Sequence, residues 1–350
     1  MSIDKEKPNL NQIFRYLLFI IPLGVIGNLL FSFFKTDRQA LASLNAIAYQ
    51  YLLLAFALSL VPWVTNTCRV WLWTRFLKKP LSVKNAMSIV IATELGSAIS
   101  PTAIGGGYVK LGMLIQKGFP PGSAASVMVL GSVEDMLFFS IAIPVALWHS
   151  KAFHLPVIQK VLAIITGKGT PILWIAGILA FLALSAFLFR YCHFYDKLVQ
   201  THVYQKIRTR IKTFLGEFVS VYHIIGKKGK GTFLIAMSLT SIQWICRYSV
   251  VSALLACLNI QVHPVLFFLL QWIVFTMGTL MPTPGGAVGI EAAFYLIYSA
   301  FIPGHLIGLA TASWRFLTYY VLLTLGSIIF IVFNYRGPTG KSNAISPHLV

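Results

Sequence analysis

Charged side chains inside long apolar runs are the residues of this sequence best placed to do chemistry. Glu94, Lys110, Glu134, Asp135, Arg247, Glu291 and Arg315 all lie in or beside such runs. An ionised group in hydrocarbon is costly unless it is paired or hydrated, so each is a functional candidate. Two readings are open for them: ion pairs that fasten a helix bundle, or groups lining a polar cavity. Glu134, Asp135, Arg247, Glu291 and Arg315 read as deep, whereas Glu94 and Lys110 read as near enough to a boundary to snorkel.

Helix breaks must position these charges. The first is Ser100-Pro101-Thr102, followed by Gly105-Gly106-Gly107; the second is Met281-Pro282-Thr283-Pro284-Gly285-Gly286. Proline removes a backbone donor and glycine relaxes the backbone, so each break starts a new half-helix. The unpaired N–H groups at such a start attract anions such as a lipid phosphate. The glycines equally suit a tight turn and close helix packing. Thr318 and Tyr319, just after Arg315, complete the candidate set.

The rest of the composition says what surrounds these breaks. In 350 residues, hydrophobic residues make up 57% and charged residues 11%, and mean hydropathy is +0.78. A soluble domain is roughly a quarter charged, so a soluble fold is excluded. Runs at 13–34, 47–66, 122–148, 171–191, 231–257, 262–281 and 305–333 are each about the 20 residues needed to cross hydrocarbon. The run at 13–34 is too long for a signal-peptide core and reads as a retained anchor. The pieces 86–100, 103–117 and 285–301 are shorter, which predicts re-entrant hairpins or half-helices. The fold class expected is an all-α polytopic membrane protein of about eight transmembrane helices plus two broken or re-entrant segments. Residues 1–335 form one transmembrane domain, and 336–350 a short tail.

Charge fixes the expected orientation. The formal net charge is +19, with basic residues gathered in segment 67–85 (Arg69, Arg75, Lys78, Lys79, Lys84) and segment 190–230. Positive loops stay inside, so both are expected to be cytoplasmic loops, with both termini cytoplasmic. That arrangement requires a returning segment at each Pro-Thr break. Segment 190–230 suits an amphipathic helix on anionic lipid or an ordinary basic loop. The partners expected are membrane lipids, not nucleic acid.

A shift of 181 residues lays Pro101-Thr102 on Pro282-Thr283, Gly105 on Gly286, Lys110 on Glu291 and Glu134 on Arg315. The signs of the two charges are exchanged between the halves, about 83–148 and about 262–333. With the expected topology this reads as an inverted repeat, a transporter plan that places the substrate at the repeat interface.

Conventional catalytic and metal motifs are absent: no H-E-x-x-H, P-loop or G-x-S-x-G occurs. No cofactor or metal is expected. Cys68, Cys192, Cys246 and Cys257 show no metal or disulfide spacing and read as small buried hydrophobes.

The block Met281 to Glu291 and the later Trp314-Arg315-Phe316-Leu317-Thr318-Tyr319-Tyr320 resemble the P-x-P-G-G-x-G-x-x-E and R-x-x-T-Y blocks of a known family. That family is the transmembrane region of lysylphosphatidylglycerol synthases, with the stand-alone flippase-like proteins similar to it. The resemblance runs over most of 10–335. The first half departs from it: Gly106-Gly107-Tyr108 and Lys110 stand where the family usually has Gly-Glu and Arg, and Val133-Glu134-Asp135 where it has Glu-Arg before an Asp. The resemblance implies movement of an anionic phospholipid or a lipid-linked molecule between leaflets of a bacterial cytoplasmic membrane. The soluble domain that adds an amino acid to lipid in full-length synthases has no counterpart in the 15 or so residues after the last span, so aminoacylation by this chain alone is not expected. An intramembrane head-group enzyme with Glu134 or Glu291 as acid or base, and a non-transporting partner of a separate lipid-modifying enzyme, are the alternatives.

Overall fold

The computed structural model describes residues 48–100, 105–154, 225–279 and 289–334, with a few isolated positions between them. The expected spans at 13–34 and 171–191, most of the basic segment, and Pro101, Thr102, Pro282, Pro284 and Gly285 lie outside the described residues. Every element described is helical, and the chain is a polytopic helical membrane protein. In order these are α1 (Tyr49–Phe76), α2 (Val83–Ile99), α3 (Gly105–Gln116), α4 (Pro121–Ser150), α5 (Lys230–Cys257), α6 (Pro264–Thr279), α7 (Gly289–Tyr298), α8 (Gly304–Arg315) and α9 (Leu322–Asn334). A π-helical stretch, Phe316–Val321, joins α8 to α9.

Length sorts them into two kinds. The helices α1, α4, α5 and the joined α8–α9 are 28 to 30 residues long and apolar enough to span a membrane. At 1.5 Å per residue they exceed a hydrocarbon core of about 30 Å. The others, with 17, 12, 16 and 10 residues, fall short. The run 262–281, expected to span, is therefore only the 16-residue α6, about 24 Å long. It forms the first arm of the second broken segment, with α7 as the second arm. Its apolar run reads as a span because hydropathy continues to Pro282, whereas the chain is already in a bend at Met281.

Local chemistry sets the ends. The Ser82 hydroxyl accepts the Asn85 N–H at 3.2 Å and starts α2. Pro121 occupies the first turn of α4, where its missing donor is harmless, and Lys151 ends that helix in the left-handed conformation. Gly286, at φ +65°, turns the chain between α6 and α7, and its N–H reaches the Thr283 carbonyl at 3.0 Å.

The 181-residue shift reaches further than the two breaks. It carries α1 onto α5 residue for residue, α2 onto α6 to within one residue, and α3 and α4 onto α7 and α8–α9 within three. The packing follows the same rule. The helix α2 lies against α3 and α9, and α6 against α7 and α4, while α1 and α5 pack on each other along their length.

The arms of the first broken segment are pressed together through glycine. A Cβ on Gly106 would run into the Ser97 hydroxyl and lie 2.6 Å from the Thr93 carbonyl oxygen, and one on Gly105 would lie 2.8 Å from the Gly96 carbonyl. A Cβ on Gly107 would meet nothing nearer than Met128 Sδ at 3.5 Å. Gly106→Ala is expected to destabilise the protein by about 1–3 kcal/mol through overpacking. Gly107→Ala should be neutral or gain up to about 1 kcal/mol from helix propensity. Thermal unfolding of both variants in detergent checks this; equal melting temperatures would remove the packing argument.

Lysines collect at one end of the bundle. Lys79 donates to the Gly118 carbonyl at 2.9 Å, Lys117 to Asn85 at 3.0 Å, and Lys84 lies over the Phe333 ring. Lys227, Lys228 and Lys230 open α5 at the same end, because α5 runs antiparallel to α1 and meets Ala48 at its far end. At that far end Lys151 is accompanied by His149, His154, His263 and His305.

Candidate functional site

The two broken segments meet around a cavity of about 450 Å³. Ser97 and Ala98, at the end of α2, line one part of it; Gly278, Thr279 and Gly286, at the break between α6 and α7, line another. The long helices close the sides with Pro62, Phe139, Trp244, Tyr248, Arg315, Thr318 and Tyr319. The wall therefore mixes aromatic surface with charge, as small-molecule sites of this size commonly do.

Two ion pairs hold the charges at this wall. Arg247 on α5 reaches both oxygens of Glu94 on α2 at 3.0 Å, and its guanidinium lies 5.5 Å from the Trp244 ring centroid. Arg315 is 3% exposed. It sits 2.8 Å from Glu291 Oε1 on α7, an ion pair outside hydrogen-bond alignment. Its guanidinium also stacks over Tyr319 at 4.1 Å. Tyr319 in turn donates to the Ala98 carbonyl at 2.9 Å and ties the π-helical stretch to the end of α2. A π-turn inside an α-helix widens the backbone, and such turns recur at functional sites. Here it places Thr318 and Tyr319, one turn beyond Arg315, on the cavity.

A second charged cluster lies beside the first. Glu134 on α4 is fully buried and accepts from donors on two helices: Arg69 Nε at 2.8 Å and Trp73 Nε1 at 2.7 Å on α1, and Thr240 Oγ1 at 3.4 Å on α5, with Arg69 Nη2 2.6 Å away. Arg69 also donates to Gln243 at 2.9 Å and to the Gly131 carbonyl at 3.2 Å, with Asp135 at 3.5 Å. Asp135 accepts from Trp244 Nε1 at 2.9 Å, which links this cluster to the cavity wall. Lys110 points at the same turn of α4: a Cβ built on Gly131 would lie 3.7 Å from its Nζ and 3.4 Å from Arg69 Nη2.

Several expectations change here. Arg69, assigned with its basic neighbours to a cytoplasmic loop, sits inside α1, 4% exposed, because the helix continues to Phe76. Glu94 does not snorkel; it is half of the Arg247 pair in the cavity wall. Gln243, Trp73 and Trp244 carry no charge and stood out by no spacing, so sequence reading passed over them. Of the glycines, Gly105 has its N–H capped by the Ser100 hydroxyl at 2.9 Å. Gly106 is buried against α2, Gly107 lies on α3 away from that contact, and Gly286 lines the cavity. Thr283 lies in the turn between α6 and α7. Cys68 is exposed on α1 rather than buried. Among the described residues no group of His, Cys, Asp and Glu is arranged to hold a metal ion.

The chain is similar to a "UPF0104 membrane protein" of Archaeoglobus fulgidus, 23% identical over 295 residues that cover 79% of this chain and 84% of that protein. The family model described as "Lysylphosphatidylglycerol synthase TM region" matches residues 16–326, which takes in every helix of both clusters but the last turns of α9. By that match the chain belongs to the lysylphosphatidylglycerol synthase TM region family.

Proposed function

We propose that this protein moves a phospholipid or a lipid-linked molecule between the leaflets of the cell membrane. The observation that carries the reading is the cavity where the two broken segments meet, with the Arg247–Glu94 pair and Arg315 in its wall. Non-helical backbone at membrane depth is tolerated where it lines a cavity, and transporters built from inverted repeats bind at such a junction. Guanidinium groups suit a head-group phosphate because their planar forks donate to it in pairs. The aromatic faces are already stacked on arginine, so they favour an anionic or polyhydroxy head group over a cationic one. The coincidence of helix boundaries under the 181-residue shift supports the repeat, and the lysine-rich end of the bundle supports placing that end in the cytoplasm.

Reconstitution tests it. Liposomes containing the purified protein are expected to exchange labelled phosphatidylglycerol, or a lipid-linked sugar phosphate, between leaflets at least ten-fold faster than empty ones. Exchange no faster than in empty liposomes across both lipids would overturn the reading, and a chemically altered lipid in the same samples would assign an enzyme instead.

A further inference from the structure

The charges related by the 181-residue shift do not behave alike in the two halves. Glu291 on α7 and Arg315 on α8 form an ion pair. Their counterparts, Lys110 on α3 and Glu134 on α4, do not: Glu134 is held by Arg69, and Lys110 makes no ion pair among the described residues. Yet Lys110 and Arg69 both face the turn of α4 at Gly131, one turn before Glu134. Arg69 itself has no counterpart in the second half, where the shifted position is Val250. Among the described residues two cations, Arg69 and Lys110, thus face the turns of α4 around the buried Glu134, whereas Glu291 has the one ion-pair partner Arg315.

We propose that Glu134 exchanges partners during transport, held by Arg69 in the state described here and by Lys110 in the opposite-facing state, with Arg69 as the residue that positions it. The inference rests on the transport reading. Two related halves that rock against each other exchange conformations between the two states. The inner pair made by Glu291 and Arg315 in one state is then matched by Lys110 and Glu134 in the other. Glu134, the fully buried carboxylate, then keeps a cation in both states, and losing it would be strongly unfavourable. When Glu134 leaves, Arg69 keeps Gln243 at 2.9 Å and Asp135 at 3.5 Å. The four-carbon stem of Lys110 supplies the reach.

The test reads which face of the membrane reaches the cavity. A single thiol is placed by Thr276→Cys, an exposed cavity-lining position, with the native cysteines changed to serine. Its reaction with a membrane-impermeant maleimide is followed from each face of oriented proteoliposomes. Arg69→Gln is expected to raise the ratio of modification from the less reactive face at least ten-fold, while Arg69→Lys stays within two-fold of the parent. Lys110→Gln should lower that ratio at least ten-fold, and the Arg69→Gln effect should vanish in the Lys110→Gln background. A ratio that responds to neither variant, or an Arg69→Gln effect that persists without Lys110, overturns the exchange. Where Arg69→Gln fails to assemble, Lys110→Gln decides alone, an unchanged ratio counting against the proposal. Lipid exchange by the parent is measured in the same vesicles. A responsive ratio without lipid movement supports the partner exchange and defeats the transport reading, and lipid movement with an unresponsive ratio does the reverse.

Discussion

Glu134→Leu is expected to cost about 3–5 kcal/mol of stability, the cost of breaking a buried ion pair from one side. The carboxylate is wholly buried and carries one of the closest contacts of Arg69, at 2.6 Å. Its removal leaves the guanidinium with Gln243, the Gly131 carbonyl and a distant Asp135, and leaves the Trp73 indole N–H without its acceptor. Asp135, with its side chain about one-third exposed, compensates weakly. Replacing both partners by apolar residues, in Arg69→Met with Glu134→Leu, removes the charge that the single change strands. The double variant should recover most of the loss, since apolar replacements of buried pairs are often neutral or better. Unfolding midpoints of parent, singles and double in detergent micelles give the coupling directly. A single-variant loss below about 1 kcal/mol would mean that water reaches the cluster and solvates Arg69.

The second large effect is expected on transport, with little change in stability. Arg247→Leu removes one of the two guanidinium groups in the cavity wall. The Glu94 side chain it leaves behind is 30% exposed, so water in the cavity can hydrate the carboxylate. An anionic head group would lose a charge-assisted donor, and the exchange rate in liposomes is expected to fall at least ten-fold. Arg247→Lys keeps the charge but not the planar guanidinium, whose Nη2 meets both Glu94 oxygens at 3.0 Å and whose face lies over Trp244. It should give an intermediate rate. Full activity in Arg247→Leu would reduce the pair to a fastening between α2 and α5.

Arg69 and Glu94 show why part of the site was illegible before the fold was known. Arg69 lies six residues before Arg75 and nine before Lys78, so its surroundings read as a basic loop. Only the continuation of α1 to Phe76 turns it inward to Glu134. Glu94 read as a boundary residue because it stands seven positions before the Pro101 break. Its partner Arg247 is 153 residues away in the chain, a separation that no local pattern reports. By contrast, Glu291 and Arg315 stand 24 residues apart, the same spacing as Lys110 and Glu134, which can be matched without a structure.

What the sequence determined by itself is the membrane character, the positions of the two breaks, the 181-residue relation and the presence of charge inside apolar runs. Hydrocarbon forces these into the local order of residues, because each span must be apolar and must satisfy its own backbone hydrogen bonds. Tertiary structure alone decided that α6 is half a broken segment, that Glu134 belongs to Arg69 and Glu94 to Arg247, and that both broken segments line one cavity. Pairing and enclosure depend on how separate helices pack, and a charge selects its partner by distance in space rather than along the chain.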